Sequence, residues 1–86
     1  MINAKPSING NTRDHFIDAY TDIQAARDAL MKAIGTTRQN VMHGRNYLHL
    51  PHENAARDED DECLDKLREA VGTLDLLAMD IVEAVK

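Results

Sequence analysis

Three of the four histidines fall within ten residues of one another, near the middle of the chain. His43, His49 and His52 form an H-x5-H-x2-H pattern, and Cys63 follows it. Imidazole and thiolate groups are the ligands that zinc prefers. The pattern lacks the regular C-x2-C or H-E-x-x-H spacing of defined zinc motifs. Metal or ligand binding by these residues, with weak hydrolase activity, therefore stands as an alternative to a protein without a cofactor.

A second chemical feature is a run of carboxylates that begins at position 58. Asp58, Asp61, Glu62 and Asp65 are related by i, i+3 and i, i+4 spacings, which place them on one face of a helix. Such a face can hold a divalent cation or receive a basic partner, and it can equally be a solvated surface. We therefore take Asp58, Asp61 and Glu62 as candidate binding residues.

Several enzyme classes are disfavoured by the spacing of these groups. All-α nucleotide pyrophosphohydrolases of the MazG type use E-x-x-E followed by E-x-x-D, whereas this chain has Glu59-x-x-Glu62 and Asp80-x-x-Glu83. Both pairs fall on one predicted helix, about 30 Å apart at 1.5 Å per residue, and cannot converge. Cys63 lies beside an apolar heptad line, which predicts a buried structural thiol. We expect no enzymatic activity and no cofactor.

Two long helical patterns must position these groups. The first has a largely apolar 4-3 spacing from Phe16 to Val41, in which Arg27 is the one charged member. The second has a 3-4 spacing from Leu64 to Val85. Gly44 is predicted to be a left-handed residue that ends the first helix, and Pro51 opens the second. A bend near Gly35 is an open alternative. The helices are predicted at about 12–43 and 54–86.

The short connection between helices of similar length predicts an all-α antiparallel hairpin over 11–86, preceded by a flexible tail over 1–10. Arg27 should lie opposite Val71–Asp75, where it either pairs with Asp75 or forms a polar layer that sets the register. Each helix carries an apolar band wider than one partner helix can cover. We therefore expect a homodimeric four-helix bundle.

The connection itself contains Arg45, Asn46, Tyr47 and His49, which we take as candidate binding residues because Arg and Tyr are frequent at binding hot spots. The architectural alternative is that Tyr47, with Leu48 or Leu50, folds back to close the end of the bundle, while Arg45 pairs with the acidic start of the second helix. Both roles can hold together.

The charge distribution narrows the class of partner. The 86-residue chain has a net charge of −5, divided as +2 over residues 1–45 and −7 over residues 46–86. This balance argues against direct nucleic-acid binding, which depends on many Lys and Arg contacts to phosphate. A single cysteine fits a reducing compartment, and the sequence contains no long apolar run. A cytoplasmic location without membrane association is expected.

The segment from His43 to Tyr47, set between two amphipathic helices, resembles an H/N-G-R-N/D-Y loop of small helical-hairpin proteins from bacteriophages and bacterial mobile elements. The resemblance covers this pentapeptide and the helix–loop–helix layout, and it implies a bacterial or phage accessory protein rather than a particular activity. The sequence thus favours a non-enzymatic protein–protein interaction module, a small dimeric regulator or inhibitor. It would act on an unidentified protein through its acidic helix face or the tip of its loop.

Overall fold

The computed structural model describes residues 2–6 and 11–86, and the described chain folds into two long helices. Helix α1 spans Asn11–Asn40 and helix α2 spans Glu53–Val85, with a short 3₁₀ turn at Gly44–Asn46 between them. The helices run antiparallel, since Arg27 near the middle of α1 meets Asp75 of α2, and Arg13 near its start reaches the carbonyl oxygen of Val85. The predicted all-α fold and helical hairpin are confirmed.

The first helix is shorter than predicted and ends at Asn40 rather than at position 43. The backbone N–H groups of Val41 and Met42 both donate to the carbonyl oxygen of Thr37, at 2.9 and 3.0 Å, so the helical ladder stops there. Val41 is consequently 60% exposed, although the heptad pattern predicted it to face the core. Met42 packs against the core in its place. The helix continues through Gly35.

The prediction of a left-handed residue at Gly44 is wrong. No residue of the described chain has a positive φ, and Gly44 begins the 3₁₀ turn instead. The end of α1 is capped by a side chain: the Asn46 amide donates to the carbonyl oxygen of Val41 at 2.8 Å and to that of Asn40 at 3.4 Å. A side-chain donor satisfies the unpaired carbonyl groups of the last turn, so a left-handed residue is not needed.

The core is a single line of contacts between the helices. Ile34, Leu64 and Val71 form a buried cluster near the turn, with Leu30 and Met42 packed against it. Ala78 and Ile81 are buried farther along α2. The predicted α2 seam is thus largely confirmed, with Leu67 as the exception at 40% exposure.

The hairpin is a single layer of helices with a large surface for its mass. Its dimensions are 62 × 20 × 12 Å, and its accessible surface is 6666 Å². A monomeric protein of 9.6 kDa is expected to expose about 5,100 Å². The accessible surface thus exceeds the expected value by about 1,600 Å², and a dimer of standard size buries about 800 Å² from each partner.

The described part of the predicted tail lies against the open end of the hairpin. The backbone N–H of Ile2 donates to Asp80 Oδ2 at 3.2 Å. The side chain of Ile2 lines a small apolar cavity of about 290 Å³ together with residues of both helices, among them Phe16 and Leu77. The rest of the predicted tail lies outside the described residues. Neither helix of the described chain has a stretch long and apolar enough to cross a membrane.

Candidate interaction surfaces

Tyr47 closes the turn end of the hairpin. It is 5% exposed, and its hydroxyl donates a 2.6 Å hydrogen bond to Asp60 Oδ2 on the first turns of α2. The guanidinium carbon of Arg57 lies 5.1 Å from the centre of the ring, in a cation–π arrangement. The hydrogen bond to Asp60, together with burial, raises the pKa of the Tyr47 hydroxyl to about 12. The ring is held by contacts within the hairpin.

Arg57 links this ring to the start of α2. Its Nη2 atom pairs with Glu53 Oε1 at 3.0 Å, while its Nε atom is buried without a partner in the structure. Arg57 also lines a cavity of about 110 Å³ beside Met42, Tyr47 and Asp61. The architectural alternative gave the pairing role to Arg45, whose side chain is exposed. In the structure Arg57 has this role, because it lies one turn from Glu53 on α2.

The remaining candidate residues of the loop have mostly local roles. The Asn46 side chain caps α1, and His43 Nδ1 accepts the backbone N–H of Arg45 at 3.3 Å. His49 is exposed. The predicted plug is formed by Tyr47 alone, because Leu48 and Leu50 are 62% and 45% exposed.

The histidines and the cysteine do not converge. Among the described residues, no group of three or more His, Cys, Asp or Glu side chains is arranged to hold a metal ion. The alternative ligand set of His43, His49, His52 and Cys63 therefore has no common site in this hairpin. Cys63 is exposed, so the prediction of a buried thiol is wrong for the single hairpin. Its position lies to one side of Leu64, which takes the buried place.

The acidic stretch at the beginning of α2 faces solvent. Asp58, Asp61 and Glu62 are all exposed. Asp65 forms a surface pair with Arg68 at 2.8 Å, in which both side chains remain about half exposed or more. Exposed pairs of this kind contribute little to stability. The candidate residues Asp58, Asp61 and Glu62 are thus available to a partner from outside.

Arg27 makes the predicted contact with Asp75. Its Nε atom donates to Asp75 Oδ1 at 3.0 Å, and its Nη1 atom lies 3.4 Å from Asp28 Oδ1. The hydrogen bond to Asp75 and the charge of that carboxylate raise the pKa of Arg27. The pair is partly exposed, with side-chain exposures of 33% and 44%. It joins the middle of the two helices without being buried.

One broad side of the hairpin, from its open end as far as Ala33 and Cys63, is assigned by helical periodicity to uncharged residues, and we call it the alanine face. Its position is fixed by the cavity under Ile2, to which Ala19 and Leu77 both contribute. Steps of seven residues, or two helical turns, extend the same side along each helix. The alanine face comprises Phe16, Ala19, Ile23, Ala26 and Ala33 of α1, and Cys63, Leu67, Ala70, Leu74, Leu77, Ile81 and Ala84 of α2. Ala26, Ala33, Cys63 and Ala70 are exposed, as is Leu67.

A second surface, the Met79 groove, is formed between the helices by a different set of residues. The groove has a volume of about 440 Å³ and is lined by Tyr20, Gln24, Asp75, Ala78, Met79, Val82 and Glu83. Met79 is 64% exposed and Val82 is 37% exposed. Asp75, which also pairs with Arg27, marks the side of the hairpin on which this groove opens. The hairpin therefore presents two different apolar surfaces.

Sequence reasoning found the seam and the Arg27–Asp75 pair but missed Arg57, Asp60 and the capping role of Asn46. Arg57 and Asp60 do carry a signal, because both fall where the α2 heptad pattern continues toward the turn. Asn46 carries none that periodicity could reveal.

No protein-family model matches the chain, and neither a curated protein nor a solved structure matches it.

Proposed function

We propose that the protein is a non-enzymatic, homodimeric interaction module in which two hairpins join through their alanine faces into a four-helix bundle. The observation that carries the proposal is the exposure of this uncharged face on a hairpin only one layer thick. Helical domains normally bury their apolar faces between two layers. The small side chains of Ala26, Ala33 and Ala70 would let the helices of a second copy approach closely.

The module regulates or inhibits another protein through the acidic stretch of α2, with the loop tip as the second contact region. Asp58, Asp61 and Glu62 support the first surface because they are exposed. At the tip, Tyr47 is engaged with Asp60 and Arg57, which leaves Arg45 and His49 as the exposed candidates. A negatively charged surface favours a basic protein partner over nucleic acid.

The absence of catalysis is part of the same proposal. The carboxylate pairs that include Glu59 and Asp80 lie on one continuous helix, which supports a binding role rather than a converged catalytic centre. The proposal includes a cytoplasmic location, supported by the single cysteine. The likeness of the loop to those of phage and mobile-element hairpins supports an accessory role for the protein.

Paired substitutions on α1 test the dimer. Ala26→Glu puts a charge in the middle of the alanine face, whereas Ala25→Glu puts the same charge about 100° around the helix. Both alanines are exposed in the single hairpin, so both variants should fold. We expect Ala26→Glu to raise the dimer dissociation constant at least about 100-fold, because association would bury an unpaired charge. Ala25→Glu should leave it unchanged.

Sedimentation equilibrium measures the dissociation constant, and circular dichroism checks that the helices remain. Equal dissociation constants for Ala26→Glu and Ala25→Glu would contradict the assignment of the alanine face as the dimer interface. A change in both variants relative to the original chain would point to a general effect of added negative charge.

A further inference from the structure

The Met79 groove differs chemically from the alanine face, although both expose apolar side chains. Met79 and Val82 protrude from α2 beside Tyr20 of α1, and Ala78 forms part of the same surface. The volume of about 440 Å³ lies in the range of about 300–1,000 Å³ that binding pockets occupy. Methionine adapts to differently shaped apolar groups, so an exposed methionine in a groove suits a partner's side chain.

The charged residues that line the groove are all acidic. Asp75 and Glu83 lie along it, and none of its lining residues is Lys or Arg. Asp75 uses Oδ1 for Arg27, and Glu83 pairs with Lys86 at 3.1 Å with both side chains at least two-thirds exposed. An ion pair that exposed is readily exchanged for another. Most of the residues that line the groove belong to residues 46–86, the half of the chain with a net charge of −7.

We propose that the Met79 groove binds an amphipathic helix of another protein, whose large apolar residue inserts beside Met79 and Val82 while flanking Lys or Arg side chains meet Asp75 and Glu83. An amphipathic helix presents its apolar and charged groups at such spacings when it enters a groove. This inference rests on the proposed role as an interaction module and names the partner chemistry. The Met79 groove is then a partner site separate from the acidic stretch at the start of α2, and the alanine face is the surface that binds a second copy.

The test uses the full chain and a synthetic amphipathic peptide of Leu and Lys, with a matched peptide in which Glu replaces Lys. Met79→Glu is the groove variant, and Leu76→Glu is its control. The two residues lie three positions apart on α2 and are 64% and 65% exposed, but only Met79 lines the groove. Fluorescence anisotropy of the labelled peptides gives the dissociation constants.

We expect the Leu–Lys peptide to bind and the Leu–Glu peptide not to bind. Met79→Glu should weaken binding at least tenfold, although it adds a charge that attracts the peptide. Leu76→Glu should leave binding unchanged or strengthen it slightly. Binding that is equal in the two variants would overturn the proposal, since attraction without insertion would then explain it. Failure of the Leu–Lys peptide to bind would overturn it as well.

Light scattering on the same samples separates this inference from the proposed dimer. A monomer that still binds the peptide through Met79 would overturn the dimer and support the groove. A dimer that binds the peptide equally well with and without Met79→Glu would support the dimer and overturn the groove. If Met79→Glu converts a dimer into a monomer, the groove belongs to the interface between copies, and the proposed partner site is overturned.

Discussion

The side chains at the turn end of the hairpin make their contacts within the chain, whereas many side chains of the alanine face remain exposed. At the turn, the Tyr47 hydroxyl is hydrogen-bonded to Asp60, its ring is covered by Arg57, and Asn46 caps α1. On the alanine face, Ala26, Ala70 and Leu67 remain exposed, and none of the residues assigned to this face is charged. The turn is thus completed within one chain, whereas the alanine face is the surface that we propose to bind a second copy. Polar and aromatic side chains such as Tyr47 and Asn46 can thus stabilise the fold, whereas small apolar side chains such as Ala26 are the ones we propose for association.

The largest expected effect separates the buried edge of the alanine face from its exposed centre. Ile81→Asp should unfold the hairpin, because it buries an unpaired carboxylate at a position that is 7% exposed and should cost more than about 4 kcal/mol. Ala70→Glu lies on the same face but is exposed, and it should remove the dimer while the helices stay folded. Circular dichroism and light scattering distinguish the two results. A folded dimer in Ile81→Asp would show that the α2 seam is misassigned.

At the turn, removal of the Tyr47 ring should lower the stability of the fold. Tyr47→Ala takes away the largest buried side chain of this region and the hydrogen bond to Asp60, at a cost of about 3 kcal/mol. Urea denaturation, with the dimer dissociation constant measured in parallel, checks this expectation. Unchanged stability with weaker partner binding would instead make Tyr47 a contact residue.

The pH dependence of stability should report the Tyr47–Asp60 hydrogen bond. The bond is made by the protonated hydroxyl, and it raises the pKa of Tyr47 from an unfolded value of about 10 to about 12. The contribution is therefore complete below about pH 10 and is lost as the pH rises toward 12, because the unfolded chain releases its proton first. Urea midpoints of the original chain and of Tyr47→Phe should converge over this interval. Parallel curves would contradict the proposed origin of the shift.

The smallest effect is expected at Gly44. Because its φ is not positive, and a Cβ there would meet only the end of the Arg57 side chain at 3.4 Å, Gly44→Ala should change stability by less than about 1 kcal/mol. A left-handed conformation at this position would make the same substitution cost about 1–2 kcal/mol. Thermal denaturation of the two proteins decides between these conformations.

These residues also show how far the sequence could predict the fold. The heptad spacing predicted both helices, most of the α2 seam and the meeting of Arg27 with Asp75, because a helix of fixed period leaves little freedom over many turns. The turn was harder, since no period governs it. The end of α1 depends on whether a glycine backbone or the Asn46 amide satisfies the last carbonyl groups, and both are compatible with the sequence.

The candidate site was predictable only in part for the same reason. The sequence predicted that Tyr47 lies at the end of the bundle, but it did not predict which residues contact the ring. Arg45 and Arg57 are the same residue type and differ only in their position relative to α2. The exposed state of Cys63 follows from a difference of one residue, since neighbouring positions on a helix point about 100° apart. A heptad pattern predicts which residues lie on the same side of a helix, but it does not predict whether the hairpin itself or another molecule covers that side.

The most direct test of the dimer is the mass of the unmodified chain in solution, measured by sedimentation equilibrium over a wide range of concentration. An alanine face that binds a second copy predicts a species of twice the 9.6 kDa chain mass, which dissociates on dilution and is lost in Ala26→Glu. A single species of 9.6 kDa at every concentration up to the millimolar range would contradict it.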